Sequence, residues 1–478
     1  MRWTLLILFS LVAMSALAQH EPTKLQADFR REGERVGDAC KSFGFKTVPG
    51  CAIELFTDHP LHIAVGSIAP QNGFGFGGAF VASKNTTNWR MSWDVDAVSS
   101  LNASWRAGGY MKMVHTPNQP VRPVFPTSGA TPEPSPEKKK EEKSSVGPHP
   151  YSVFYLYAQS ISLNKLFYFG EGNNSTLAGK SVFGMSQNIV GASAIKPVYV
   201  LPSIRKLNMA LLGELNGRFV NLRGAHGQSN PSIETLYSET TAPGLATQPG
   251  FLQFGEGVRM KPVIGDYVQL NYLAQFQQFF APSNSHYSFE RWILDLNHTL
   301  FLYGYTQSQP RNTDGNGPDE CGPPTEKCPP VSHSRNLNGS LGFRLLLSES
   351  INSASSVVPF YFQPTLGGSD INAAPALGNY QDYRFRAPNI FLLRGTFEHS
   401  IWGPLGFTFM ADEGKVVLAR GDIGFGHLKH SFASGLTLRA GGFPMVFLMF
   451  AWGGNEGNHT IFNMNTALLG GSSRPSLY

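Results

Sequence analysis

The sequence predicts an all-β protein, a transmembrane antiparallel β-barrel of about sixteen strands. Three observations carry that reading. The composition is 41% hydrophobic but only 15% charged, with 51 glycines and 35 phenylalanines, as in a membrane barrel rather than a secreted globule. After the first residues, no apolar run approaches the roughly 18 that a spanning helix needs. Segment after segment alternates apolar with polar residues, the period of two that separates a lipid-facing from a lumen-facing side. A chain of 478 residues patterned this way is also too long for a simple sandwich.

The chain opens with a secretory signal peptide over 1–18. Met1-Arg2 supplies the positive start, Trp3–Val12 the apolar core, and Ser15-Ala16-Leu17-Ala18-Gln19 a small-x-small cleavage site after Ala18. Residues 19–60 form a short periplasmic leader, too small for a sizeable folded domain without a staple. Export to an oxidising compartment predicts structural disulfides between near neighbours, Cys40 with Cys51 and Cys321 with Cys328. Neither pair has the Cys-x-x-Cys spacing of a metal site, so no metal or other cofactor is expected.

From residue 61 to 470 the pattern is that of barrel strands. His62–Ser83, interrupted at Pro70-Gln71-Asn72-Gly73, reads as one broken strand. Trp89–Val98 and Ser104–His115 follow, the first setting Trp89, Met91, Trp93 and Val95 against Arg90, Ser92, Asp94 and Asp96, the second Trp105, Ala107, Gly109 and Met111 against Arg106, Gly108, Tyr110 and Lys112. The segment 116–150 is packed with Pro, Ser, Glu and Lys, lacks periodicity and is expected to be disordered. Strands resume at Tyr151–Phe169, Ser181–Val198, Leu207–Leu222, Phe251–Ile264 and Tyr267–Phe280. In the last of these Gln269, Asn271, Gln275 and Gln277 share a face, which must be wet because an unpaired buried amide costs about 1–3 kcal/mol. Ser288–Tyr303 puts Trp292, Leu294, Leu296, Leu300 and Leu302 outward and Arg291, Asp295 and Asn297 inward. Asn336–Ser350 and Val357–Leu366 complete the eleven strands expected before the central loop, and five follow it. An even total returns both ends to one face. This count places 116–150 and the Cys321–Cys328 loop at the cell surface. Residues 471–478 are a short tail.

The stretch Leu366–Val417 is the centre of the chain. A loop rich in Gly, Ala, Pro and Asn carries Arg384 and Arg386. Two alternating runs then meet at Trp402-Gly403-Pro404, a tight turn. Arg394, Thr396 and Glu398 share one face of the first run, and Thr408, Met410 and Asp412 one face of the second.

This stretch resembles the signature region of the bacterial surface antigen family, the BamA/TamA outer-membrane assembly superfamily. The residues concerned are Gly367-Gly368, Tyr383-Arg384-Phe385-Arg386, Glu398, and Phe409 with Asp412 and Gly414. The resemblance implies a sixteen-stranded barrel whose long sixth extracellular loop folds into the lumen. With the loop inside, Arg384 or Arg386 is expected to pair with Glu398 and Asp412 as a latch. Two features depart from the pattern. Gly378-Asn379-Tyr380 stands where the family carries Arg-Gly-Tyr, and the leader has no room for the folded periplasmic receptor modules of relatives that insert proteins.

Location in the outer membrane follows, with membrane lipid as one partner. A role in outer-membrane protein assembly or secretion is what the resemblance implies, with client proteins or periplasmic chaperones as further partners. The alternative is a passive porin-like or structural protein. Nucleic acid is not an expected partner, because the net charge of +5 is spread without a basic stripe. Nor is an enzyme expected. No Gly-x-Ser-x-Gly elbow occurs, His427 and His430 fall on opposite faces of a strand, and His298 lies on the lipid-facing register.

Overall fold

The structure, a computed structural model, describes residues 61–116, 151–198, 207–225, 229–265, 267–309, 333–402, 405–440, 443–464 and 474–478, with Arg30 and Glu34. The expected signal peptide, the leader apart from those two residues, all four cysteines and all but Thr116, at the edge of the 116–150 segment, lie outside the described residues.

The first half of the chain gives β1 (Leu61–Ser67), β2 (Phe74–Asn85), β3 (Trp89–Ser100), β4 (Trp105–His115), β5 (Val153–Tyr168), β6 (Ser181–Val198), β7 (Leu207–Gly224) and β8 (Phe251–Ile264). The second gives β9 (Val268–Phe280), β10 (Phe289–Gln309), β11 (His333–Ile351), a small hairpin β12 (Thr365–Leu366) and β13 (Phe385–Arg386), then β14 (Asn389–Trp402), β15 (Leu405–Val417), β16 (Lys429–Ala440), β17 (Phe443–Trp452) and β18 (His459–Met464). All but β12 and β13 join one sixteen-stranded antiparallel sheet in sequence order. Among the described residues no strand pairing joins β1 to β18.

The sheet curls into a barrel. One loop, 352–388, touches strands and turns from both ends of the sheet order, which a flat sheet would hold far apart. Tyr383 donates to Pro70 O in the β1–β2 turn at 2.9 Å. Gly378, on the same loop, sits so close to β17 and β18 that a Cβ there would meet Ile461 Cδ1 at 2.6 Å and Ala451 Cβ at 3.1 Å.

Alternation sorts the two faces of the wall as expected. Val95, Phe219, Phe343 and Phe462 are more than half exposed, whereas Asp96, Arg218, Gln253 and Arg291 are at most 2% exposed. An outward apolar band with a polar, filled interior inverts the soluble-protein rule and requires lipid as its cover.

Two expected strands were misplaced. His62–Ser83 is two strands, because Gln71 (φ 65) and Gly73 (φ 80) turn the chain. Asn72, fully buried, ties that turn to Lys165 O at 2.8 Å and Ser104 Oγ at 2.9 Å. Val357–Leu366 is no wall strand. Pro359 redirects it, and Phe360, Tyr361 and Phe362 are 0%, 3% and 0% exposed in succession, a plug's burial rather than a wall's alternation. The two differences cancel in the total of sixteen but shift the parity of every strand between them. The connections 116–152 and 310–332 follow β4 and β10, so they leave the sheet on the face where β1 begins, opposite to the face expected.

Candidate functional site

Loop 352–388 fills much of the lumen. Its aromatic run packs with Tyr168, Phe183, Phe251, Phe279 and Phe289 of the wall, and the rings of Phe251 and Phe362 lie 4.9 Å apart edge to face. Behind the run, β12 and β13 pair Thr365 with Arg386 and Leu366 with Phe385. Gly367 (φ 106) and Gly368 (φ 61) open the hairpin, where their N–H groups donate to Ala376 O and Leu377 O. Neither position tolerates a side chain: a Cβ on Gly367 would meet Arg384 Cβ at 2.4 Å, and one on Gly368 would meet Asp382 Oδ1 at 2.4 Å. Gly414 on β15 clears space for the loop, since a Cβ there would lie 3.1 Å from Leu366 Cδ1.

The loop is clamped to the wall, though not by the contacts expected. Arg394 of β14 forms a two-pronged ion pair with Asp412 of β15, at 2.7 and 3.0 Å. Both partners then reach the loop backbone: Arg394 Nη2 donates to Pro375 O at 2.5 Å, and Asp412 Oδ2 accepts from Leu377 N at 2.8 Å. Asn379 N adds a bond to Ser431 Oγ of β16 at 3.1 Å. So Asp412 does hold the loop, but through its main chain and with Arg394 as counter-ion.

Arg384 and Arg386 go elsewhere. Arg384 donates through Nε to both oxygens of Glu456, between β17 and β18, at 2.7 and 3.0 Å. Its two Nη atoms take Ser175 Oγ and Ser175 O, between β5 and β6, at 2.8 and 2.6 Å. The guanidinium also stacks 4.9 Å from the Phe169 ring and 4.6 Å from Phe385. A single arginine in the loop thus joins two wall connections far apart in sequence. Arg386 closes the loop on itself, donating to Phe360 O at 2.5 Å, and burial lowers its guanidinium to about 10. The expected latch of these arginines with Glu398 and Asp412 is therefore not the one the structure forms: Arg384 goes to Glu456 and Ser175, and Arg386 to Phe360 O. Glu398 lies on β14 four residues beyond Arg394, toward the short β14–β15 turn and away from where the loop enters.

The sequence did not reveal Arg394 or Glu456 as partners. Arg394 was visible only as a lumen-facing charge, and Glu456 sits in a Gly-Asn-rich connection without periodicity. Of the further inward arginines, one reaches the loop and one braces the wall. Arg291 donates to Phe362 O at 2.6 Å, and Arg344 pairs in fork geometry with Asp295, both bonds 2.9 Å.

Three carboxyls outside the wall strands are pushed upward by burial. Glu171, whose carboxylate accepts from Gln363 Nε2, Asp370 and Asp382 all rise above their ordinary values. Between the loop and the wall remains a cavity of about 710 Å³, lined by Arg106, Gln159, Asp295, Arg344 and the segment 474–478.

No family model matches this sequence, and no curated protein matches it. Solved structures do. CdiB from Acinetobacter baumannii is 10% identical with a TM-score of 0.44, over 84% of this chain and 58% of that one. CdiB from Escherichia coli is 9% identical with a TM-score of 0.47, over 85% and 62%. BamA from Haemophilus ducreyi lacking POTRA domains 1–3 is 10% identical with a TM-score of 0.41, over 85% and 69%. The chain thus spans less than two thirds of the length of either CdiB. The sixteen strands of this chain's own sheet are the number that the sequence resemblance implied.

Proposed function

We propose that this chain is an outer-membrane barrel of the bacterial surface antigen type, acting in the assembly or secretion of outer-membrane proteins. The observation that carries the reading is the loop 352–388, seated in the lumen and clamped at Arg394–Asp412 and at Arg384–Glu456. A pore for small solutes needs an open polar channel. Here Phe360, Tyr361, Phe362, Tyr383 and Phe385 are each at most 3% exposed within that channel. A wall that devotes several buried charges to holding a plug is suited to a barrel whose opening is conditional.

The test has two stages. In a planar bilayer the purified chain should stay closed, with rare openings that become frequent when Arg384 and Arg394 are both replaced by alanine. In proteoliposomes it should speed the insertion of an unfolded outer-membrane barrel protein above that of protein-free vesicles. Steady conductance of the unaltered chain favours the passive pore instead. A closed barrel with no effect on insertion removes the assembly role.

A further inference from the structure

The segment Arg474–Tyr478 lies inside the lumen and has no regular secondary structure. It is held by side-chain and isolated backbone contacts, in the way a bound peptide is held. Arg474 Nη2 pairs with Asp96 Oδ2 of β3, and its guanidinium lies 5.3 Å from the ring of Tyr110 on β4. Ser476 O accepts from Arg218 Nη1 of β7 at 2.9 Å, and Ser476 Oγ accepts from Asn372 Nδ2 of the loop at 3.2 Å. Leu477 N donates to Asn372 Oδ1 at 2.8 Å, and its side chain, 6% exposed, joins the main apolar cluster. The Tyr478 hydroxyl donates to Asp370 Oδ2.

Each of these anchors has another partner besides the segment. Asp96 is paired with Arg106 at 3.3 Å. Arg218 Nε donates to Asn216 Oδ1 at 2.9 Å. Asp370 Oδ1 accepts the N–H groups of Asn372 and Ala374 at 2.9 and 2.8 Å. Withdrawal of the segment would therefore leave a formed site beside the 710 Å³ cavity and would not unravel the wall. Two of its features discriminate between ligands. One end, with Asp96 and the Tyr110 face, takes a guanidinium. The other, with Asp370, takes a phenol hydroxyl.

We propose that the lumen contains a peptide-binding site for a short segment with arginine at its first position and tyrosine at its fifth, and that Arg474–Tyr478 is its resident occupant. The inference rests on the barrel and its lumen, not on the role proposed above. A tethered occupant has an effective concentration on the order of mM, so a free peptide at micromolar concentration cannot displace it. Removal of the tethered copy opens the site.

The probe is a dye-labelled pentapeptide, Arg-Pro-Ser-Leu-Tyr, followed by fluorescence anisotropy with the barrel in detergent. A chain lacking residues 474–478, checked for heat-modifiable migration, should bind it saturably, while the full chain should not at the same concentration. Peptides with alanine for the arginine or phenylalanine for the tyrosine should bind at least tenfold more weakly. If the shortened chain does not fold, the full chain carrying Arg474→Ala and Tyr478→Phe loosens the occupant and should bind the unaltered peptide where the parent does not. Equal binding of all three peptides, or no binding to either altered chain, overturns the proposal.

Discussion

Arg394 and Asp412 are register partners across β14 and β15, and a β-bulge between Ser400 and Trp402 makes them so. The strands leave their turn with Trp402 opposite Leu405, a pairing that continued unbroken would set Arg394 opposite Glu413. The extra residue shifts the register by one and brings Arg394 onto Asp412. A local irregularity beside a turn thereby sets the ion pair that grips the loop backbone at Pro375 and Leu377.

Arg394→Gln leaves Asp412, 4% exposed, without its counter-ion, and breaking a buried pair of this kind costs about 3–5 kcal/mol. The thermal midpoint in detergent should drop by several degrees. Adding Asp412→Asn should recover part of the loss, because the asparagine oxygen can still accept from Leu377 N. A single variant that melts with the parent would make the pair incidental to the loop.

Arg384→Lys should behave nearly like Arg384→Ala. One guanidinium makes four hydrogen bonds, to both oxygens of Glu456 and to two atoms of Ser175. A lysine ammonium is a point charge that cannot span that fork. Bilayer openings should rise in both variants. Openings restored to the parent level by lysine would show that charge alone suffices.

Gly367→Ala introduces a Cβ 2.4 Å from Arg384 Cβ at a φ of 106 and should disrupt the β12–β13 hairpin. Gly78→Ala, on β2 with nothing within 4 Å, is the matched control. Limited proteolysis of the two variants should cut only the first within 352–388. Equal resistance would mean that the hairpin does not depend on this turn.

The barrel was legible because lipid on one side and a polar lumen on the other impose a period of two, and Trp292 against Arg291 obeys it plainly. The loop's arginines were legible as residues but not as contacts. Whether Arg384 meets Asp412 or Glu456 depends on how deep the loop sits and on a bulge that no periodicity announces. Val357–Leu366 reads as a strand because a continuous aromatic run fits a strand and a plug equally well, and in the structure it turns at Pro359 into the plug. The segment 474–478 gave no signal, since a lumen ligand needs neither alternation nor length.

Mild acid should tighten the plug. Glu171, Asp370 and Asp382 have their folded-state values raised by burial above 4.5, 3.8 and 3.8. A raised carboxyl contributes stability that is full below its unfolded value and lost as the pH climbs through the folded one. Their environments differ: Glu171 faces Gln363 and Arg386, Asp370 faces Tyr478 and Arg344, and Asp382 faces Gln71, Lys180 and His459. The thermal midpoint should therefore rise as the pH falls from 8 toward the ordinary carboxylate range of about 4. Glu171→Gln with Asp382→Asn should flatten that rise. A midpoint that falls over the same range in the parent alone would place the pH response in other groups.

The two inserted segments should lie on the periplasmic face. Connections 116–152 and 310–332 follow β4 and β10, even-numbered strands that return to the side where β1 begins. The turns β14–β15 and β16–β17 open on that same face and are among the shortest in the sheet, as periplasmic turns are. The opposite face carries 169–180, 225–250, 352–388 and 418–428, whose residues bond to one another, as in Asn173 Nδ2 to His427 O at 3.0 Å. An epitope placed at Glu137 should be reached by antibody only in permeabilised cells. One placed at Gly424, where a Cβ would meet nothing within 4 Å, should be reached in intact cells. Surface staining at Glu137 with none at Gly424 would mean that the barrel sits the other way up, and the mouth closed by Arg384 and Glu456 would then face the periplasm.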